Sequence, residues 1–250
     1  MKRLNQRDVA WIRRRLPGIV REFMEKTGAI LGGGFIRACV AGETPADIDI
    51  FCPSAETAFE WANEFMVMLG DSEHHGAARR IETPNAITIL GCHLPVQFIR
   101  RWTFANAEQL VKSFDFTIAC AAVWVDKIDD GPTVPRKTWL SCCDGDFYAD
   151  LAAKRLVYLR PVRNEDAGGS ILRLLKFYQR GYRAPLDTIG GVIARLSMAV
   201  DHERLRGDQK EADLARVLTG LLVEVDPTAA EFLGTQAFMP TEEQDINGDE

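Results

Sequence analysis

The sequence has no C-x-x-C pair and only four histidines, so nothing in it points to a zinc module. Its six cysteines are scattered, with Cys142–Cys143 the one close pair, and no disulfide framework follows from them. No apolar run approaches the roughly 18 to 20 residues that a membrane helix needs. The opening residues, Met1 to Asp8, carry charge without an apolar stretch behind it, so a secretory signal is not expected. A reducing, cytoplasmic setting is the expectation. Excess positive charge is also missing: the net charge is −6, which argues against a protein coated for nucleic acid. Internal repeats and flexible linkers are absent.

What is present is an ordinary globular composition. The chain of 250 residues, 46% hydrophobic and 26% charged, can bury one or two cores. Cys39, Cys52, Cys92 and Cys120 stand in apolar contexts and read as small core residues. His74–His75 reads as a solvated turn, and His93 and His202 have no partner at ligand spacing. Charge is unevenly placed. Lys154, Arg155, Arg160, Arg163, Arg173, Lys176, Arg180 and Arg183 face only Glu165 and Asp166 within the same stretch. Such a local patch can hold a triphosphate or an RNA backbone even on an acidic protein. Acids gather after Pro240, and a disordered tail is expected over 240–250.

Apolar periodicity predicts a helix from Gln6 to Lys26, interrupted at Pro17–Gly18, and a first strand over Ala29–Leu31. A short helix over Gly34–Val40 and a strand over Asp47–Cys52 follow. Ser54 is placed to cap a helix ending near Leu69. Ile87–Leu90 and Val96–Arg100 read as strands and Ala105–Lys112 as a helix. Phe116–Val125 reads as either strand or buried helix. Beyond Phe147 the pattern turns helical: Asp150–Tyr158, Ser170–Arg180, Thr188–Leu205, Lys210–Val225 and a short piece at Thr228–Leu233. Gly181 suits a helix stop.

The chemistry concentrates in Leu31-Gly32-Gly33-Gly34-Phe35-Ile36-Arg37 and Asp47-Ile48-Asp49-Ile50-Phe51. Side chains alternate along a strand, so Asp47 and Asp49 share a face while Ile48 and Ile50 turn to the core. Two adjacent carboxylates repel, and a hard cation such as Mg²⁺ relieves the repulsion, taking one or two carboxylates plus phosphate oxygens and water. Gly33 and Gly34 allow a tight turn whose backbone N–H groups can approach phosphate, with a helix start behind them. Arg37 lies one turn into that helix, within reach of a phosphate oxygen.

The order and spacing of G-G-F-I-R-A-C-V-A-G-E-T-P-A-D-I-D-I resemble the head motif of nucleotidyltransferases of the DNA polymerase β superfamily. The nearest likeness is to CCA-adding tRNA nucleotidyltransferases and poly(A) polymerases, whose pattern is G-G-x-x-R-D followed by D-x-D. Ala38 stands where that pattern has its acid. Phe114-Asp115-Phe116-Thr117-Ile118-Ala119-Cys120-Ala121 resembles the family's R-R-D-F-T-I-N-A segment, without its arginine pair and asparagine. Glu165–Asp166 and the stretch Ser170–Phe177 resemble the base-reading helix, with Arg173 and Lys176 at its basic positions, three residues apart and so on one helix face. The likeness spans Ala29 to Tyr182 and is strongest at the first motif.

The resemblance implies an α+β fold: a nucleotidyltransferase head with a small mixed sheet and flanking helices, then a small all-helical region. The head is expected over 1–146 with its N-terminal helix, and the helical body over 147–239. It implies Asp47 and Asp49 as catalytic metal ligands for Mg²⁺ or Mn²⁺. Gly33, Gly34 and Arg37 would meet the triphosphate, Asp115 the sugar or metal, and Arg173 with Lys176 the nucleotide. Where the superfamily commonly carries a third acid, this chain has Gln97, which cannot replace a charge. Asp115 fills that place, or two acids and water suffice, or the site is degenerate. The implied activity is transfer of a nucleotide from an NTP to a hydroxyl, on tRNA or other RNA first. A catalytically degenerate nucleotide- or RNA-binding protein, and a toxin- or defence-type transferase acting on tRNA or protein, stand as alternatives.

Overall fold

The computed structural model describes residues 1–70, 78–128, 136–159, 167–202, 205 and 210–225. The expectations for His74–His75, Glu165–Asp166, the piece at Thr228–Leu233 and the tail at 240–250 lie outside these residues. The fold is mixed α+β, with a seven-stranded mixed sheet and flanking helices. The chain divides into two compact units. One comprises Met1–Val162 with Tyr182–Ile189, the other Arg163–Gly181 with Gly190–Glu250.

In the first unit the N-terminal helical pattern splits where expected. Helix α1 (Gln6–Arg15) is capped by the Asn5 side chain, and α2 (Gly18–Thr27) follows Pro17 and stops at left-handed Gly28. Then come β1 (Ile30–Gly32), α3 (Gly34–Ala41), β2 (Ile48–Phe51) and α4 (Ala55–Gly70), whose first turn is capped by Ser54 Oγ, 3.1 Å from the Thr57 N–H. The sheet continues through β3 (Arg79–Glu82), β4 (Ala86–Leu90) and β5 (Val96–Ile99). After α5 (Ala107–Ser113) come β6 (Ala121–Ile128) and β7 (Arg136–Cys143), then α6 (Phe147–Ala152).

The strand order is β3-β4-β5-β2-β1-β6-β7, with β2 and β5 parallel and the other pairs antiparallel. One face carries Leu31, Ile48, Ile50, Ile87, Ile89, Val96, Phe98 and Val123, all fully buried. Onto it pack Phe23 of α2 and Phe65 of α4, with ring centroids 5.5 Å apart; Phe23 also meets Phe98 edge-on at 5.5 Å. Each such buried phenylalanine contributes about 2 kcal/mol of apolar burial, so this face anchors the sheet. The other face meets α5 through Ala107, Leu110 and Val111, packed with Phe51, Ala86, Ile99, Ala122 and Cys142. A Cβ on Gly32 would stand 2.9 Å from the Phe51 ring and 3.0 Å from Leu110, so the residue must be glycine for β1 to lie this close.

Several sequence expectations are corrected. Strand β3 and strand β7 carry too few alternating apolar residues to stand out, and their pairing with β4 and β6 creates them. The ambiguous stretch at Phe116–Val125 resolves into a 3₁₀ turn at Thr117–Ala119 and then β6. The helix expected over Asp150–Tyr158 ends at Ala152, because Lys154 adopts φ +49° and the chain then runs extended, Leu156 N–H donating to Arg183 O at 2.8 Å. Cys39, Cys52 and Cys120 are buried, whereas Cys92 is half-buried.

The second unit holds α7 (Ala167–Gln179), most of α8 (Leu186–Met198) and α9 (Lys210–Val225). Helices α7 and α9 pack closely at Gly168: a Cβ there would fall 2.5 Å from Leu221 O. Gly181, with φ +85°, follows α7 as a stop. Among the described residues no helix is long and apolar enough to cross a membrane.

Candidate active site

The glycine turn joins β1 to α3. Gly33 has φ +67° and ψ −126°, a region that side chains rarely adopt, and caps α3 without any side-chain hydrogen bond. Its N–H donates to Ala121 O at 3.2 Å, and its carbonyl accepts from the Arg37 N–H at 3.2 Å. The turn is thus tied to the sheet on one side and to the helix on the other. A Cβ on Gly33 would touch the Phe114 ring at 3.4 Å. Around Gly34 there is nothing within 4 Å of a Cβ position, so that glycine is not required by packing.

Asp49 lies at the heart of β2, register partner of Gly32 on one side and of Gln97 on the other. Ile48 and Ile50 are fully buried while Asp47 and Asp49 are half-buried, the alternation of a strand with one wetter face. Asp49 Oδ2 stands 4.0 Å from where a Gly33 Cβ would be. The acid therefore faces the glycine turn that opens α3. Phe114 closes the other side of this corner, its ring 5.8 Å from that of Phe51.

The carboxylates at Asp47 and Asp49 match the donor set that Mg²⁺ takes when phosphate oxygens and water complete its shell. A three-acid set is not built: among the described residues no group of three or more His, Cys, Asp or Glu is placed to hold a metal ion. Asp115, 4% exposed, thus does not join the other two in such a cluster. Gln97 occupies the rung beside Asp49, between it and Thr88.

Arg37 is placed differently from a surface anion receptor. Its side chain is 3% exposed and ion-paired through Nη1 with Glu43, and Nη1 also donates to the Tyr182 hydroxyl at 3.3 Å. Tyr182 Oη in turn donates to Glu43 Oε1 at 3.1 Å, and its ring lies 6.0 Å from the guanidinium. Burial raises the Tyr182 pKa and the Arg37 cation opposes it. Sequence reasoning missed Glu43 and Tyr182; a signal for Glu43 was an arginine amid the apolar residues of a short helix, which needs an acid close by. Arg173 and Lys176 lie on α7 in the second unit, the former half-buried and the latter exposed.

This fold has solved relatives. The Thermotoga maritima CCA-adding enzyme in complex with tRNA matches 96% of this chain and 58% of its own, with TM-score 0.51 and 17% identity. A CCA-adding enzyme in complex with CTP matches 90% of this chain and 51% of its own, with TM-score 0.54 and 18% identity. An apo form of a CCA-adding enzyme gives TM-score 0.52 at 15% identity. The chain spans a little over half the length of these structures. At such identities the likeness defines the fold, which is that of a nucleotidyltransferase. No curated protein matches the chain. Residues 6–154 match the family described as Gabija anti-defense 2 family protein, and the chain belongs to that family.

Proposed function

We propose that this protein transfers a nucleoside monophosphate from a nucleoside triphosphate to an acceptor hydroxyl, and that the transfer serves to counter Gabija defence. The observation that carries the reading is the corner itself, with Asp49 Oδ2 4.0 Å from the Cβ position of a glycine that opens a helix. The family's name supports the counter-defence role. Solved enzymes of this fold hold tRNA and CTP, and these classes are the first candidates for acceptor and donor.

In this reading the N–H groups after Gly33 and Gly34 receive the triphosphate, and Asp47 with Asp49 hold a divalent cation of the Mg²⁺ or Mn²⁺ type. When bound, that cation supplies charge neutralisation on the phosphates. An acceptor hydroxyl attacks the α-phosphorus in line, and the new P–O bond forms as the bond to pyrophosphate breaks. Asp115 orients the sugar. Arg37 sits behind the turn and steadies α3 through Glu43 rather than touching phosphate.

Gln97 beside Asp49 favours a second reading, in which the fold binds nucleotide or RNA without turnover. The test is incubation with each α-labelled triphosphate, Mg²⁺ or Mn²⁺, and total RNA or protein. Metal-dependent labelling by the natural chain, lost in Asp47→Asn and Asp49→Asn at unchanged stability, is the expected result. Nucleotide binding with no labelling of any acceptor would establish the second reading instead.

A further inference from the structure

Asp49 belongs to a longer row of side chains. Asp49, Gln97, Thr88 and Ile81 are successive register partners across β2, β5, β4 and β3. Register partners share a face, and neighbouring strands lie about 4.8 Å apart. Gln97 thus stands about 5 Å from Asp49 along the row and Thr88 about 10 Å from it. The residues flanking them on each strand, Val96, Phe98, Ile87 and Ile89, are fully buried on the opposite face. Helix α5 packs on the acid-bearing face over β1, β6 and β7. On β5, β4 and β3 that face is wetter: Gln97 and Thr88 are half-buried and Ile81 is 36% exposed. Among the described residues neither the Gln97 amide nor the Thr88 hydroxyl makes an internal hydrogen bond.

The direction of attack selects this row. Gly32, the residue before the turn, pairs with Asp49 on the β1 side, and Gln97 pairs with it on the β5 side. With the triphosphate on the glycine turn, pyrophosphate leaves toward β1. In-line displacement then brings the attacking oxygen from the opposite side, over β5 and β4. The row there is uncharged: an amide, a hydroxyl and the apolar Ile81. An anionic group set on it would find no countercharge, whereas an uncharged polar group finds an amide that both donates and accepts, and a hydroxyl that does the same.

We infer that Gln97 and Thr88 bind the acceptor beside its attacking hydroxyl, and that this part of the acceptor is the terminal nucleoside of an RNA strand. The inference rests on the transferase reading. A ribose supplies the attacking hydroxyl with a second hydroxyl next to it, and a base edge supplies the donor and acceptor pairs that a glutamine amide matches. A threonine hydroxyl meets either. Ile81 and the half-buried Leu90 offer an apolar rim to the base. Arg79, register partner of Leu90 and exposed, stands beyond them on the same face, about 15 Å from Asp49, for a phosphate further along the strand. The amide of Gln97 thus has a task that an ionised carboxylate, which only accepts, could not perform.

The test compares the natural chain with Thr88→Val and Gln97→Met, which keep the shape and lose the polar group, using α-labelled triphosphates, Mg²⁺ and total RNA. Each variant is expected to raise the apparent KM for RNA about fivefold, as the loss of one hydrogen bond would. KM for the triphosphate and the midpoint of thermal unfolding should stay as they are, whereas a merely structural role would move the midpoint. If the natural chain labels RNA and both variants do so with the same apparent KM, this inference fails and the transferase reading stands. An equal rise in both KM values places the side chains at the triphosphate and also overturns it. Label on protein and none on RNA overturns the nucleoside assignment. If the natural chain labels nothing with any triphosphate, the transferase reading itself has failed and the inference falls with it.

Discussion

Asp49 and Gln97 are register partners across the parallel pair β2–β5, so the carboxylate and the amide stand side by side on one rung of the sheet. In the proposed site, an acid at position 97 would add a third carboxylate to Asp47 and Asp49. Gln97→Glu is therefore expected to tighten Mn²⁺ binding by about tenfold, roughly 1.4 kcal/mol, as read by paramagnetic relaxation of water. Unchanged affinity would mean that this rung does not face the cation.

The two glycines of the turn differ in what they do. Gly33 has φ +67° and its Cβ position touches Phe114, so Gly33→Ala should destabilise the fold by about 1–3 kcal/mol in urea unfolding. Gly34 has open space at its Cβ position. Gly34→Ala should leave stability unchanged or slightly raised, while weakening nucleotide binding in equilibrium dialysis. A Gly34→Ala protein that binds nucleotide like the natural chain would remove α3's first turn from the site.

Arg37 is buried and Glu43 is its charged partner. Removing Glu43 takes away the ion pair of a buried guanidinium and the acceptor of the Tyr182 hydroxyl, so Glu43→Ala should cost about 3 kcal/mol. Arg37→Met with Glu43→Gln replaces the pair by groups of similar shape and should cost clearly less than Glu43→Ala alone. Denaturant midpoints of the two proteins decide the order.

Asp150 joins α6 to the 3₁₀ turn at Thr117 and to Arg155. Asp150→Ala loses both partners at once in a fully buried position and should destabilise by about 2–4 kcal/mol. Thermal unfolding of the variant, with its midpoint lowered by several degrees, checks this.

The Cys39 and Cys52 thiols should be inert while the chain is folded. Burial pushes Cys39 from the ordinary 9.0 up to about 11 and Cys52 up to about 12. Both are protonated at neutral pH, and alkylation at these two positions in the native protein should wait on unfolding. The sign for stability follows. A raised folded value favours the protonated form, so the contribution is complete below 9.0 and is lost as pH rises through about 11 to 12. Stability measured between pH 8 and pH 11 should fall, and a flat profile would count against the burial of these thiols.

Much of the head was legible in the chain because it rests on local rules. Pro17–Gly18 split the first helix, Ser54 capped α4, and the alternation Asp47-Ile48-Asp49-Ile50 produced half-buried acids between fully buried isoleucines. The nucleotidyltransferase fold was implied by the resemblance of the glycine turn and acids to that family's head motif. Strands β3 and β7 did not announce themselves, since Arg79–Glu82 and Arg136–Cys143 owe their strand state to neighbours across the sheet. Arg37 read as an arginine within reach of a phosphate oxygen, and only its packing revealed Glu43 and Tyr182 around it.

The sequence by itself determined which residues turn, which alternate and which carry charge, because those depend on backbone sterics and on neighbours a few positions away. The tertiary structure alone decided that Gln97 stands beside Asp49, that Tyr182 reaches Arg37, and that Arg155 meets Arg183. Those pairs are joined by sheet register and by chain segments tens of residues apart, and register is set by the burial of whole strands rather than by any one residue.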